Sequence, residues 1–266
     1  MSEILEALIL GIVQGLTEFL PVSSSGHLEI VKFLFGNNAL AEQSLLTSVF
    51  LHFATALATI LVFRKEVRQI LRNLFVKGWN NEKQFSVYIV ISMIPASLVG
   101  FFMEDFVAQF FNNQITFVAY MLIITGFILL ISERIHNTTK PLNSRSAFVI
   151  GISQAIAVLP GISRSGTTIG TALLLGIEKS KAARFSFLMV VPLIFGKMAK
   201  DLLSGEFMNN APSMGYLLIG FVSAFIAGVA ACTWMIQIVK KSKLSWFAMY
   251  CFIVGISILI YSLSTK

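Results

Sequence analysis

The sequence predicts an all-α integral membrane protein built from two inverted-topology repeats, each a re-entrant helical hairpin plus three transmembrane helices. Three observations carry this expectation. The chain is 56% hydrophobic and only 12% charged, with a mean hydropathy of +0.81, whereas a soluble domain carries about 25% charged residues. Several apolar windows reach the roughly 20 residues that a helix needs to cross a hydrocarbon core; they are too long for barrel strands and do not alternate as those do. One pattern also occurs twice. Gly11-Ile12-x-Gln14, Leu20-Pro21 and Ser23-x-Ser25-Gly26 return as Gly151-Ile152-x-Gln154, Leu159-Pro160 and Ser163-x-Ser165-Gly166, 140 positions on apart from a one-residue slip at Leu-Pro.

In chain order, residues 3–20 read as a helix that Pro21 breaks, because proline lacks a donor and clashes with the preceding turn. The serines after it can cap a second short helix from near Gly26 to about Phe35. Each piece is short for a crossing, so the pair is expected to dip into the bilayer and return, with its tip buried in protein or lining a cavity. Full spans follow at about 45–63, 86–104 and 115–132. Between the first two, Arg64, Lys65, Arg68, Arg72, Lys77 and Lys83 mark a cytoplasmic loop over 64–85. The loop 105–114, with Asp105 and no Lys or Arg, is expected outside.

Arg134, Lys140 and Arg145 bring the chain back to the cytoplasm. The second hairpin covers 147–176 and breaks at Pro160-Gly161; spans follow at about 184–202, 215–238 and 245–262. Lys179, Lys181 and Arg184 precede these spans, and Lys240, Lys241 and Lys243 mark the last cytoplasmic loop. The whole chain, 1–266, is thus one membrane domain: repeat 1 over about 1–135, a link over about 136–146, and repeat 2 over about 147–266. Three full spans per half invert the second half relative to the first, an architecture known among transporters. The first hairpin then enters from outside and the second from inside; Lys197 and Lys200, placed toward the outer face, do not fit the charge rule.

The net charge of +7 sits in short loops, where it sets orientation, so nucleic acid is not an expected partner. Cys232 and Cys251 lie in apolar segments and imply neither a disulfide framework nor a thiolate metal site. The first residues lack the basic start and cleavage site of a signal peptide, so insertion is expected to use the spans themselves. A homodimer is compatible with the sequence.

The two breaks differ in chemistry. Gln14 and Glu18, four apart, share a helix face, and a carboxylate inside a membrane segment points to function. Glu3 and Glu6, near the terminus, are expected in solvent. Ser23 to Ser25 offer hydroxyls and a helix start, and His27 offers an acid–base group. In the second break Arg164 is flanked by Ser163, Ser165, Gly166, Thr167 and Thr168 just ahead of a helix, a phosphate cradle made of a guanidinium fork and free amides. His52, inside a span, supports the site or simply packs; His136 reads as a solvated loop residue. An anion clamp facing an acid–base or metal-binding group suggests phosphate-ester or diphosphate chemistry on a membrane-dwelling substrate. No Walker loop is present, so no nucleotide is implied.

The stretches Gln14-Gly15-Leu16-Thr17-Glu18-Phe19-Leu20-Pro21-Val22-Ser23-Ser24-Ser25-Gly26-His27 and Pro160-Gly161-Ile162-Ser163-Arg164-Ser165-Gly166-Thr167-Thr168 resemble the bacterial undecaprenyl-diphosphate phosphatases linked to bacitracin resistance, over essentially the whole chain. Where that family has Glu or Gln four residues before a Glu, this chain has Gln14, so at most one carboxylate serves that pair. The resemblance implies hydrolysis of undecaprenyl diphosphate to the monophosphate carrier of cell-wall synthesis. It also implies a bacterial plasma-membrane location, a site open to the outer face, interlocked inverted repeats, and dependence on a divalent cation (Mg or Ca). By motif position Ser24 resembles the nucleophile, His27 its acid–base neighbour and Glu18 the catalytic carboxylate and candidate metal ligand. Arg164 joins them as a catalytic residue, with Gln14, Ser163, Ser165, Gly166 and Thr168 binding substrate. His27, or a water activated by Glu18, fits the nucleophile's place equally. The competing class is a polyprenyl-phosphate flippase or transporter using the same site for binding.

Overall fold

The computed structural model describes residues 3–35, 41–111, 114–134, 139–203, 212–241 and 244–264; His136 and Lys243 lie outside them. Among the described residues the regular structure is helical, with one isolated bridge between Lys140 and Ile177. The first hairpin is α1 (Glu3–Phe19) and α2 (Ser24–Phe35). α2 starts at Ser24 rather than Gly26, because the Ser23 hydroxyl accepts from the Gly26 amide as an N-cap. The second hairpin is α8 (Ser144–Ile156), opened by an Asn143–Ser146 capping box, and α9 (Arg164–Leu174), capped by Ser163.

Between the hairpins run α3 (Ala41–Val62), α4 (Arg64–Leu74), α5 (Asn81–Phe102), α6 (Glu104–Ala108) and α7 (Ile115–Glu133); after them come α10 (Lys179–Leu203), α11 (Met214–Lys241) and α12 (Ser245–Ser264). Five of these are long and apolar enough to cross a membrane: α5, α7, α10, α11 up to Val239, and α12. A sixth is reached if Thr47–Val62 and Arg64–Leu74, bent by 82° at Phe63, form one broken span. Their outward faces carry Phe101, Phe127, Ile226 and Ile253, all exposed in the isolated chain and suited to lipid.

Three expectations need correction. The basic region 64–85 is not simply a loop: Val67 and Ile70 recur at helical spacing and pack against the core, so Arg64–Leu74 folds as an amphipathic helix with its bases outward. The external loop likewise contains α6 and a 3-10 turn over Gln109–Phe111. Glu6 is buried rather than solvated; the Tyr216 hydroxyl lies 3.4 Å from its carboxylate, a polar partner supplied by α11. Lys197 and Lys200, the two misplaced lysines, meet carboxylates: Lys197 lies 2.6 Å from Glu104 and 2.7 Å from Asp201, and Lys200 also pairs with Glu104.

Packing places both hairpin tips at the centre. α1 lies along α11, α8 along α5, and α7 along α12, while α9 is held among α7, α8 and α10. In lipid such crossings depend on close approach rather than on hydrophobic driving force. A methyl on Gly11 would collide with Ser223 and Gly220 of α11, and one on Gly151 with the Ser92 backbone of α5. Below the tips, Phe19 meets Phe187 edge-on at 5.6 Å in a core that includes Ile169, Met189, Met235 and Cys251.

Candidate active site

The first tip turns through Leu20–Ser23. Ser23 has φ +71°, left-handed backbone that serine seldom adopts, at a cost of order 1–3 kcal/mol. The turn aims the Ser23 carbonyl at the His27 ring, whose Nδ1 lies 2.7 Å away. At the second tip Gly161 takes φ +94° without penalty. Thr125 of α7 suspends this tip, donating to the Gly161 carbonyl and accepting from the Ser163 amide, each at 3.0 Å.

The tips touch. A methyl on Gly26 would come within 2.9 Å of the Gly161 Cα, and the Ser165 hydroxyl donates to the Leu20 carbonyl at 3.1 Å. Across this junction Glu18 gathers partners from both hairpins. Arg164 Nη2 donates to Glu18 Oε1 at 2.5 Å; Ser24 Oγ and Gln14 Nε2 donate to Oε2 at 2.6 and 3.0 Å. The ion pair is well buried, with the Glu18 side chain 6% and that of Arg164 15% exposed. His52 Nε2 stands 3.5 Å from Glu18 Oε2, while its Nδ1 is tied to the Ser48 carbonyl at 2.7 Å.

The structure therefore brings Gln14, Glu18, Ser24 and Arg164 into one hydrogen-bonded group. His27 is not part of it; its ring nitrogens face Ser23 and Tyr250. The remaining residues brace the second tip. Ser163 accepts from the Gly166 amide, and Thr168 donates to the Arg164 carbonyl at 2.8 Å and meets the Ser186 hydroxyl at 2.6 Å. Ser186 also holds the guanidinium, its carbonyl accepting from Arg164 Nη1 at 3.2 Å. Sequence reasoning missed Thr125, Ser186 and Tyr250. The available signal was their polarity inside apolar spans, clearest for Thr125 in α7.

A hard divalent cation prefers oxygen ligands and can take several from phosphate and water. The chain offers the Glu18 carboxylate and the buried Gln14 carboxamide oxygen, which has no hydrogen-bond partner. Among the described residues no three His, Cys, Asp or Glu side chains group to hold a metal. Glu18 and Gln14 thus offer oxygen donors of the kind such a cation takes, from two side chains.

A buried carboxylate–arginine pair joined to a serine hydroxyl, at the meeting of two broken helices inside an apolar helical shell, defines a multi-pass membrane protein with a buried polar centre. The chain belongs to the family described as Bacitracin resistance protein BacA, whose model matches residues 7–257. Among its relatives, a Christiangramia forsetii protein named undecaprenyl-diphosphatase is 57% identical over 260 residues, 98% of each chain. Proteins of the same name from Bacteroides thetaiotaomicron, 46% identical over 97% of this chain and 99% of the relative, and Methanococcus vannielii, 40% identical over 97% and 100%, are also similar.

Proposed function

We propose that this protein hydrolyses undecaprenyl diphosphate to undecaprenyl phosphate and phosphate, recycling the lipid carrier of cell-wall synthesis. The observation that carries this reading is Glu18 bridging Ser24 of one tip and Arg164 of the other. Arg164 and the free amides opening α9 bind the diphosphate. Ser24 Oγ attacks the terminal phosphorus and passes its proton to Glu18 Oε2, 2.6 Å away. The bridging P–O bond breaks and undecaprenyl phosphate leaves. Water then displaces the serine, with His27, one turn further along α2, as the second acid–base group. A divalent cation of the Mg or Ca class, held by Glu18 and the Gln14 carboxamide oxygen, would neutralise charge on the phosphate oxygens.

The same reading takes the fold as two interlocked inverted repeats, about 1–135 and 147–266. Reciprocal pairing supports it, since α1 packs on α11 as α8 packs on α5, at the matched glycines Gly11 and Gly151. With the basic α4 region cytoplasmic, the first tip enters from outside, and the site serves the outer face of the plasma membrane. Pairing with Glu104 and Asp201 offsets the charges of Lys197 and Lys200 and removes their objection to this orientation.

Purified protein in vesicles is expected to release phosphate from undecaprenyl diphosphate, with rapid quench trapping phosphate on Ser24. Label on neither Ser24 nor His27, with oxygen from water entering phosphate directly, would replace Ser24 by a water activated at Glu18. Movement of lipid across the bilayer, without phosphate release under Mg or Ca, would instead establish a flippase.

A further inference from the structure

His27 is engaged at both ring nitrogens. The Ser23 carbonyl, 2.7 Å from Nδ1, can only accept, so Nδ1 carries a hydrogen. Nε2 lies 2.7 Å from the hydroxyl of Tyr250, 223 positions away on α12. The two rings also stack, with centroids 5.6 Å apart and planes inclined by 12°. His27 is buried, whereas Tyr250 is 42% exposed, so the phenol covers the imidazole on its outer side.

From this geometry we infer that Tyr250 serves the reaction through His27, holding the ring whose tautomer the Ser23 carbonyl sets and relaying the proton to Nε2. The inference rests on the reading of His27 as the acid–base group of the hydrolytic step. The contact suits that task because it survives proton transfer. When His27 is neutral, the Tyr250 hydroxyl donates to Nε2. The phenol occupies Nε2, so the proton of the hydrolytic water reaches the ring through it: the Tyr250 hydroxyl passes its hydrogen to Nε2 as its oxygen takes one from water, and Nε2–H then donates to the Tyr250 oxygen. The ring keeps one orientation in both states, so its reorganisation is small during turnover. The serine proton does not depend on this pair, since Ser24 already donates to Glu18. Tyr250 is placed by the third span of the second half, because α12 packs along α7. It therefore ties His27 to a helix outside both hairpins.

Tyr250→Phe keeps the stacked ring and deletes only the hydroxyl. In the full chain acting on undecaprenyl diphosphate, it should lower kcat about tenfold, the upper end for one hydrogen bond, with KM changed by less than about twofold. Introduced into His27→Gln, the same change should cost nothing further. With 15N-labelled histidine, of which the chain has three, Tyr250→Phe should move the His27 Nε2 resonance and leave that of His52 in place. The inference is overturned if Tyr250→Phe retains wild-type kcat, if its loss is as large in the His27→Gln background, or if the His27 resonance does not move. Wild-type turnover by His27→Gln, together with a moved resonance in Tyr250→Phe, would instead overturn the acid–base reading of His27 while leaving the contact intact.

Discussion

Glu18→Gln separates the two roles of the Glu18–Arg164 pair. Glutamine nearly preserves the shape of the side chain but removes one charge from an ion pair 6% and 15% exposed. Leaving one partner of such a buried pair uncompensated costs about 3–5 kcal/mol, whereas replacing both by neutral groups of similar volume is often neutral. Glu18→Gln and Arg164→Met should therefore each lower the unfolding midpoint in detergent, read at a fixed scan rate because such unfolding is often irreversible. The double variant should regain most of that loss. Activity should behave oppositely. Losing the carboxylate proposed to accept the Ser24 proton, 2.6 Å away, should cost about 10²–10⁴ in kcat, and restoring stability in the double variant should restore none of it. If Glu18→Gln keeps more than about a tenth of wild-type kcat, another group accepts that proton. If the two stability losses simply add, the charges are not coupled as the geometry requires.

Thr125→Val is nearly isosteric but strands the Ser163 amide and the Gly161 carbonyl, at about 1–3 kcal/mol for each buried group left unpaired; a lowered thermal midpoint checks this. Gly26→Val must push the tips apart, since even a methyl there would lie 2.9 Å from the Gly161 Cα; phosphate release should fall by at least about tenfold, as expected when reacting groups are displaced. Burial tends to raise the Glu104 pKa, but hydrogen bonds from Lys197 and Lys200 outweigh it and hold the carboxyl below its ordinary value. The stability it contributes is therefore present above the unfolded-state pKa and is lost as pH falls through the lower folded-state value. Glu104→Gln should flatten that part of an acid-unfolding curve.

What could be read from the sequence was local. Pro21 and Pro160 mark breaks because a missing donor acts on its own turn, and the Ser-x-Ser-Gly runs mark helix starts because capping spans three residues. Gln14, Glu18 and Arg164 were recognisable as polar groups in apolar surroundings, whatever they touch. Their partners were harder. Thr125 meets Ser163 across 38 positions and Tyr250 meets His27 across 223, and neither spacing leaves a periodic trace. The buried Glu6 was misread for the same reason, its partner Tyr216 lying 210 positions on. In α4 the bases concealed a helix whose evidence was the spacing of Val67 and Ile70.

The cross-tip pairing also bears on how the halves come together. Either hairpin alone would hold an uncompensated charge in an apolar setting, Glu18 in the first and Arg164 in the second, at several kcal/mol each. Docking lowers both penalties at once, through a single 2.5 Å contact. Gly26 against Gly161 and Ser165 against the Leu20 carbonyl then leave little freedom in how the tips meet. Between apolar helices, where many packings have similar energy, a buried pair of this kind selects one. Ser24 and Glu18 already meet within the first hairpin, so the contact that selects the packing is the one that adds Arg164 to them. Docking of the second tip therefore completes a hydrogen-bonded group that the first hairpin begins.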